Sequence, residues 1–259
     1  MNLYEDTCGY FSELKSNIDI LLFPNIDTIR ECYDEDDIDD RISNEYLQRN
    51  LFTGYTQLGY RRAGEYIYKN VCPSCLRCQS IRIPVKTFLP SKSQRRVFRI
   101  NQDIEILPCM DSKDFITEEK IQLYRLYSLK HNREMFTREK AIEDLLYWNG
   151  MSILDNSTNY ASTRNLDYYL GEKLVGCSVI DELEDGFSSV YFYYDTSSEI
   201  MKRSLGTFSV LWEIKQLQML DAEYYYLGYY IKSHKDMDYK ANFKPFELLS
   251  SDGVWKEPL

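Results

Sequence analysis

"RSLGTFSVLWEIKQLQML", residues 203–220, decides how this chain is read. A glycine at 206 precedes a run in which Val210, Leu211, Ile214 and Leu217 fall on one side of a helix. Upstream, "LDYYLGEKLVGCSVID" reads as two strands about a Gly171-Glu172 turn. "ELEDGFSSVYFYYD" reads as a second hairpin, turning at Asp185-Gly186. Downstream, "EYYYLGYYI" (223–231) is a further strand. The order is therefore strand, strand, helix, strand, with a glycine opening the helix. A turn of backbone N–H groups at such a helix start suits a pyrophosphate.

That order resembles the acyltransferases of the GNAT type, whose turn carries Arg/Gln-x-x-Gly-x-Gly/Ala. Arg203 and Gly206 keep the first two positions, and Phe208 stands at the third. Bulk there hinders close backbone approach to coenzyme A, so the resemblance implies the scaffold without its usual carrier. Nearer the N-terminus, helical spacing runs over 44–55 with a stop at Gly54, and "SIRIPV" (80–85) alternates like an edge strand. Helices capped by Thr117 and Thr137 are expected over 116–131 and 137–148. The acidic run at 34–40 reads as a solvated helix start or loop. The fold class expected is α+β: a small mixed N-terminal domain, 1–107, and a GNAT-like domain, 108–259.

Charge is distributed unevenly. Residues 61–99 hold ten basic side chains and one acid, although the 259-residue chain carries a net charge of −10. A polyanion senses local potential, so the segment argues for a phosphate-rich partner; the alternative is a basic face balancing nearby acids. No stretch approaches the roughly 18 apolar residues of a membrane span. The first fifteen residues show no basic stretch followed by an apolar run, so a reducing cytoplasm is expected. Seven cysteines in such a compartment suggest a metal or redox role over disulfides. Cys72-x2-Cys75-x2-Cys78 with Cys8 offers four thiolates, suited to zinc or an iron–sulfur cluster. A packed turn with buried thiols is the other reading.

Several motifs, in order, resemble the arginyltransferase family of aminoacyl-tRNA–protein transferases, and most of all its bacterial aspartate/glutamate leucyltransferase branch. They are "TCGYF" (7–11), "LGYRRAGEYIYKNVCPSCLRCQSIRIPV" (58–85), "PSKSQRRVFRIN" (90–101), "SLGTFSVL" (204–211), "YYLGYYI" (225–231) and "MDYKANFKPFELL" (237–249). Two departures stand out: Tyr60 replaces a usual phenylalanine, and His234 stands where relatives often carry cysteine. The resemblance implies transfer of leucine from Leu-tRNA to the N-terminal α-amine of proteins beginning with Asp or Glu, which marks them for an N-degron pathway. An arginyl donor, a GNAT acetyltransferase and a zinc-ribbon RNA-binding module are the competing readings.

Because the tRNA ester is already activated, the chemistry requires no cofactor. A neutral amine attacks, an oxyanion is stabilised, and the ribose oxygen leaves protonated. His131 and Asp181 are the candidate catalytic groups. An arginine reads a carboxylate through two parallel hydrogen bonds, which nominates Arg61, Arg62 and Arg82. Arg203, Gly206, Tyr239 and Lys240 join the substrate-binding set through the motifs. Lys92, Arg95, Arg96 and Arg99 are assigned to tRNA phosphates.

Overall fold

The computed structural model describes residues 2–24, 28–29, 43–73, 75–109, 111–131, 137–151 and 162–258. The acidic run at 34–40 lies outside them. The described strands form two sheets. In the smaller, β1 (Asn2–Thr7), β2 (Lys15–Leu22), β3 (Arg61–Ala63) and β4 (Tyr66–Asn70) lie in the order β1-β2-β4-β3. In the larger, the order is β12-β11-β5-β10-β9-β8-β7-β6. Its members are β5 (Gln79–Pro84), β6 (Ile104–Cys109), β7 (Thr163–Leu170), β8 (Lys173–Glu182), β9 (Gly186–Tyr194), β10 (Tyr224–Tyr230), β11 (Glu247–Leu249) and β12 (Trp255–Lys256).

A division after residue 107 falls inside β6, and the larger sheet takes in residues from 79 onward. The expected boundary at 107/108 therefore does not coincide with the limit of the larger sheet. The physical reason is that β5 fills a central place, paired with β10 on one side and β11 on the other. Its near-continuous burial reflects that place.

The helices are α1 (Asn44–Gln57), α2 (Lys92–Ile100), α3 (Glu118–Lys130), α4 (Arg138–Trp148), α5 (Ser198–Met201) and α6 (Leu205–Met219). Thr117 and Thr137 cap α3 and α4 as expected. Gly54 does not end α1, which runs a further turn to Gln57. One interior glycine costs a helix about 1 kcal/mol, too little to break one packed through Leu47 and Phe52. The basic run 92–100 is a helix that residue spacing alone did not suggest; Ser91 and Gln94 close a capping box on it.

Side chains of β8 point to opposite faces. Leu174 and Cys177 pack with Tyr124 of α3 and Leu145 of α4. Val175 and Ile180 pack with Leu205 and Phe208 of α6. The larger sheet is thus sandwiched between α3–α4 and α6, with α2 lying against α6.

One pair of neighbours in the larger sheet is parallel. β9 and β10 hold register from Tyr224↔Gly186 to Tyr226↔Ser188 and then part, although both strands continue. Gly186 makes their start possible: a Cβ there would lie 1.7 Å from the Tyr224 carbonyl oxygen. The split beyond Ser188 positions the site.

Candidate active site

A cleft of about 770 Å³ opens at the split. Its walls come mainly from β3, the end of α4, β9, β10, the start of α6 and the turn at 238–242, with Tyr10, Tyr68, Tyr127 and Ser178 completing the lining. Gly206 lies at the α6 rim, next to Ser204, which adopts the left-handed conformation at φ 56°. A serine held there costs about 1–3 kcal/mol, a strain that clusters at functional sites.

The floor carries two cations. Arg61 is buried, and its Nη2 donates to the Ser189 carbonyl at 2.6 Å. Lys240 is buried, and its Nζ donates to the Tyr229 carbonyl at 2.7 Å. Ser189 and Tyr229 lie just past the last β9–β10 pair, so each lip of the split holds one cation. Gly228, at φ 85° beside a bulge, has both within 4 Å of where its Cβ would stand. Neither cation makes an ion pair with a carboxylate among the described residues. Burial, and then the charge of Arg61, push Lys240 down to about 7.

The adjacent Arg62 differs. Its Nε and Nη2 hold both oxygens of Asp181 at 2.8 and 2.9 Å, and Thr163 donates to the same carboxylate at 2.8 Å. Arg62 also donates to the Trp148 carbonyl at 2.8 Å. Asp181 is fully buried and is not among the cleft-lining residues. Both oxygens of Asp181, expected from the sequence to be catalytic, are engaged in holding β3 against β8. His131 caps the end of α3, exposed, with Nδ1 2.8 Å from the Tyr127 carbonyl and its ring beside Tyr127. It too stands outside the cleft lining.

Other sequence candidates separate by geometry. Tyr239 lines the cleft. Arg82 lies outside it, bound to Glu247 at 2.7 Å and stacked on Tyr224 and Trp255. Arg203 is clamped by Asp103 at 2.7 and 3.0 Å. Its Nη1 also donates to the Ile100 carbonyl, and Asn101 donates to the Arg203 carbonyl, which ties the end of α2 to the cleft rim. Phe208 is core, packed on Phe98 and Tyr168. Lys92, Arg95, Arg96 and Arg99 are exposed on α2, away from the cleft lining.

Two features went unread in the sequence. One is an aromatic wall, in which Trp148 and Tyr191 stack at 4.4 Å beside Tyr127 and Tyr147. The other is a buried Glu213 under the floor. Its spacing from Val210, Ile214 and Leu217 on the inward face of α6 is the signal that would have found it.

Cys8, Cys72, Cys75 and Cys78 line one small cavity of about 190 Å³. Burial and the other three sulfurs push the Cys78 thiol up to about 12, a cost that a thiophilic cation at the same point would reverse. The donor set therefore suits such an ion. Among the described residues no group of three or more such side chains is placed to hold a metal ion as it stands. Tyr10 and Tyr68 line this cavity and the cleft alike.

The large sheet, parting between β9 and β10 beside α6, is consistent with the GNAT-like fold expected from the sequence. The arginine-tRNA-protein transferase family matches in two parts, its N terminus over residues 6–96 and its C terminus over residues 119–250. An aspartate/glutamate leucyltransferase of Marinobacter nauticus is 33% identical over 212 residues, covering 82% of this chain and 84% of that protein. Another, from Saccharophagus degradans, is 36% identical over 203 residues, covering 78% and 81%. The solved structure of L-PGS from Bacillus licheniformis is similar at TM-score 0.45 and 11% identity, covering 78% of this chain and 61% of that one. The chain belongs to the arginine-tRNA-protein transferase family and is an aminoacyltransferase.

Proposed function

We propose that the enzyme moves leucine from Leu-tRNA to the N-terminal α-amine of proteins that begin with Asp or Glu, marking them for an N-degron pathway in the cytoplasm. The observation that carries the reading is the pair Arg61 and Lys240, two buried cations on the cleft floor with no carboxylate partner among the described residues. Buried charge is costly until it is paired, so the floor favours an anionic ligand. The side-chain carboxylate of an acceptor's first residue supplies one, and Arg61 offers it charge-assisted hydrogen bonds. The names of the relatives support the same acceptor.

The aromatic wall supports the donor. Trp148 and Tyr191 offer apolar surface to a leucyl side chain. The acid among the lining residues is Asp236, exposed to water, which gives an arginyl side chain little to bind. With the ester held there and the acceptor held by its carboxylate, the amine is brought against the carbonyl carbon. Positioning of this kind is worth several kcal/mol of barrier. The exposed cations of α2 take tRNA phosphates, and the Arg203–Asn101 ties join that helix to the cleft rim. A zinc ion or iron–sulfur cluster held by Cys8, Cys72, Cys75 and Cys78 would crosslink the N-terminal hairpin to the 72–78 loop, a structural role. No helix is long and apolar enough to cross a membrane among the described residues.

The test is transfer itself. The protein is incubated with radiolabelled Leu-tRNA or Arg-tRNA and peptides beginning with Asp, Glu, Arg or Ala. Label from Leu-tRNA on the Asp and Glu peptides is expected. Label from Arg-tRNA alone would overturn the donor, and equal labelling of Arg-initiated peptides would overturn the acceptor.

A further inference from the structure

The cleft floor hides a carboxyl that the reading above does not use. Glu213 sits in α6 one turn past Ser209, which lines the cleft, and is 1% exposed. Its Oε1 accepts from the Tyr168 hydroxyl at 3.2 Å, and its Oε2 accepts from the Tyr225 hydroxyl in a short contact. The groups that face it are Tyr168 from β7, Ser178 from β8 and Tyr225 from β10, with Tyr239 beyond them. No cation pairs with it among the described residues. Tyr225 and Ser178 both belong to the cleft lining. A hydrogen-bonded path thus runs from the cleft to a carboxyl sealed from water.

A buried carboxyl without a cation is costly, and a leucine in its place would pack against the same neighbours. A group able to take and return a proton is what aminoacyl transfer needs at this floor. We propose that Tyr225 and Glu213 form the proton path of the reaction, with Tyr225 touching the reacting amine and Glu213 positioned behind it. This rests on the aminoacyl-transfer reading. The amine nitrogen forms a C–N bond to the ester carbonyl carbon and becomes positively charged. It gives a proton to the Tyr225 oxygen while Tyr225 gives its own proton to Glu213. As the C–O bond to the ribose breaks, the path runs backward and the ribose oxygen takes the proton. Nothing is oxidised or reduced, and both side chains end each turnover as they began. Burial lifts Glu213 to about 7 against its hydrogen bonds, which suits a group that must both accept and return a proton near neutrality.

The experiment measures kcat with saturating Leu-tRNA and an Asp-initiated peptide from about pH 5.5 to 9, for the wild type, Glu213→Gln and Tyr225→Phe. At saturation the profile reports groups in the complex rather than the free peptide amine. The wild type should lose kcat below about pH 7 as Glu213 protonates. Glu213→Gln should lower kcat about 100-fold or more and abolish that acidic limb, with the KM of both substrates held within about twofold. A folded Glu213→Gln that keeps kcat within about threefold and retains the limb overturns the path. If that variant shows no cooperative thermal transition, Tyr225→Phe carries the same expectation and the same overturning result. A wild-type kcat that is flat through neutral pH overturns it without any variant. Failure of the underlying reading looks different: the wild type would then transfer neither leucine nor arginine to any peptide.

Discussion

Arg61-Arg62 and Arg95-Arg96 are adjacent pairs from the same basic segment, yet they meet opposite environments. The first pair is buried in β3 and faces the cleft; the second stands exposed on α2. The difference teaches that one run of positive charge can be split between a buried and an exposed setting, which on the function proposed above serve two kinds of anion. A buried arginine binds one group in one geometry, and its worth is set by desolvation. An exposed arginine contributes to a field that salt screens. The buried pair divides again, because Arg62 is matched by Asp181 and Arg61 is matched by no carboxylate among the described residues. On the function proposed above, stability rests on the first and recognition on the second.

The sharpest way to break that division is Arg62→Ala. It strands Asp181 in the core, and the loss of one partner of a buried pair costs about 3–5 kcal/mol. Urea unfolding should show this as a large fall in the midpoint; a change under about 1 kcal/mol would erase the distinction between the two arginines. Arg61→Met strands no carboxylate, so it should cost less than Arg62→Ala, about 1–3 kcal/mol for the Ser189 carbonyl that loses its donor. It should lower kcat/KM for Asp-initiated peptides about tenfold or more, since charged hydrogen bonds are worth about 1.5–3 kcal/mol. Leu-tRNA affinity should hold, and an equal loss for Ala-initiated peptides would mean that Arg61 reads no carboxylate.

Lys240 sharpens the comparison through pH. Its folded value, about 7, lies below the roughly 10.4 of an unfolded lysine. Between those values the unfolded chain binds more protons, so stability should rise with pH through that window and Lys240→Met should flatten the rise. Acidic peptides bind the charged form, so their affinity, followed by calorimetry, should weaken severalfold as pH climbs from about 6.5 to 8.5. Affinity that is level or stronger at the higher pH would remove Lys240 from the anion site. The smallest effect belongs to the exposed pair. Arg95→Ala with Arg96→Ala should leave stability within about 0.5 kcal/mol. It should reduce the salt slope of tRNA binding by about 0.7–0.9 for each lost phosphate contact. An unchanged slope would give the α2 cations another purpose.

Local chemistry was legible and long-range pairing was not. The inward face of α6, the Gly171 and Gly186 turns, and the Thr117 and Thr137 caps each rest on a few neighbouring residues, and all are present. α2 escaped because three apolar side chains among four cations make a weak pattern, although Ser91-x-x-Gln94 announced its start. The place of β5 was hidden because its partner β10 lies about 140 residues further on. The same distance problem governed the arginines. Nothing near position 62 shows that Asp181 will neutralise it, and nothing near 61 shows that no acid will. Arg82 and Arg203 looked equally available, and Glu247 and Asp103 occupy them.

The parting of β9 and β10 has a further consequence for folding. Two strands that run side by side and then diverge leave an edge indoors, and an unpaired edge is a template that tends to zip. Closing it by even one more rung would fill the cleft with ladder. Arg61 grips the Ser189 carbonyl on one lip, and Lys240 grips the Tyr229 carbonyl on the other. Those two carbonyls therefore have donors without a further rung of the ladder. The native sheet thus stays incomplete at this point, and the two side chains that we propose meet the substrate's anion already serve the carbonyls at its open edge.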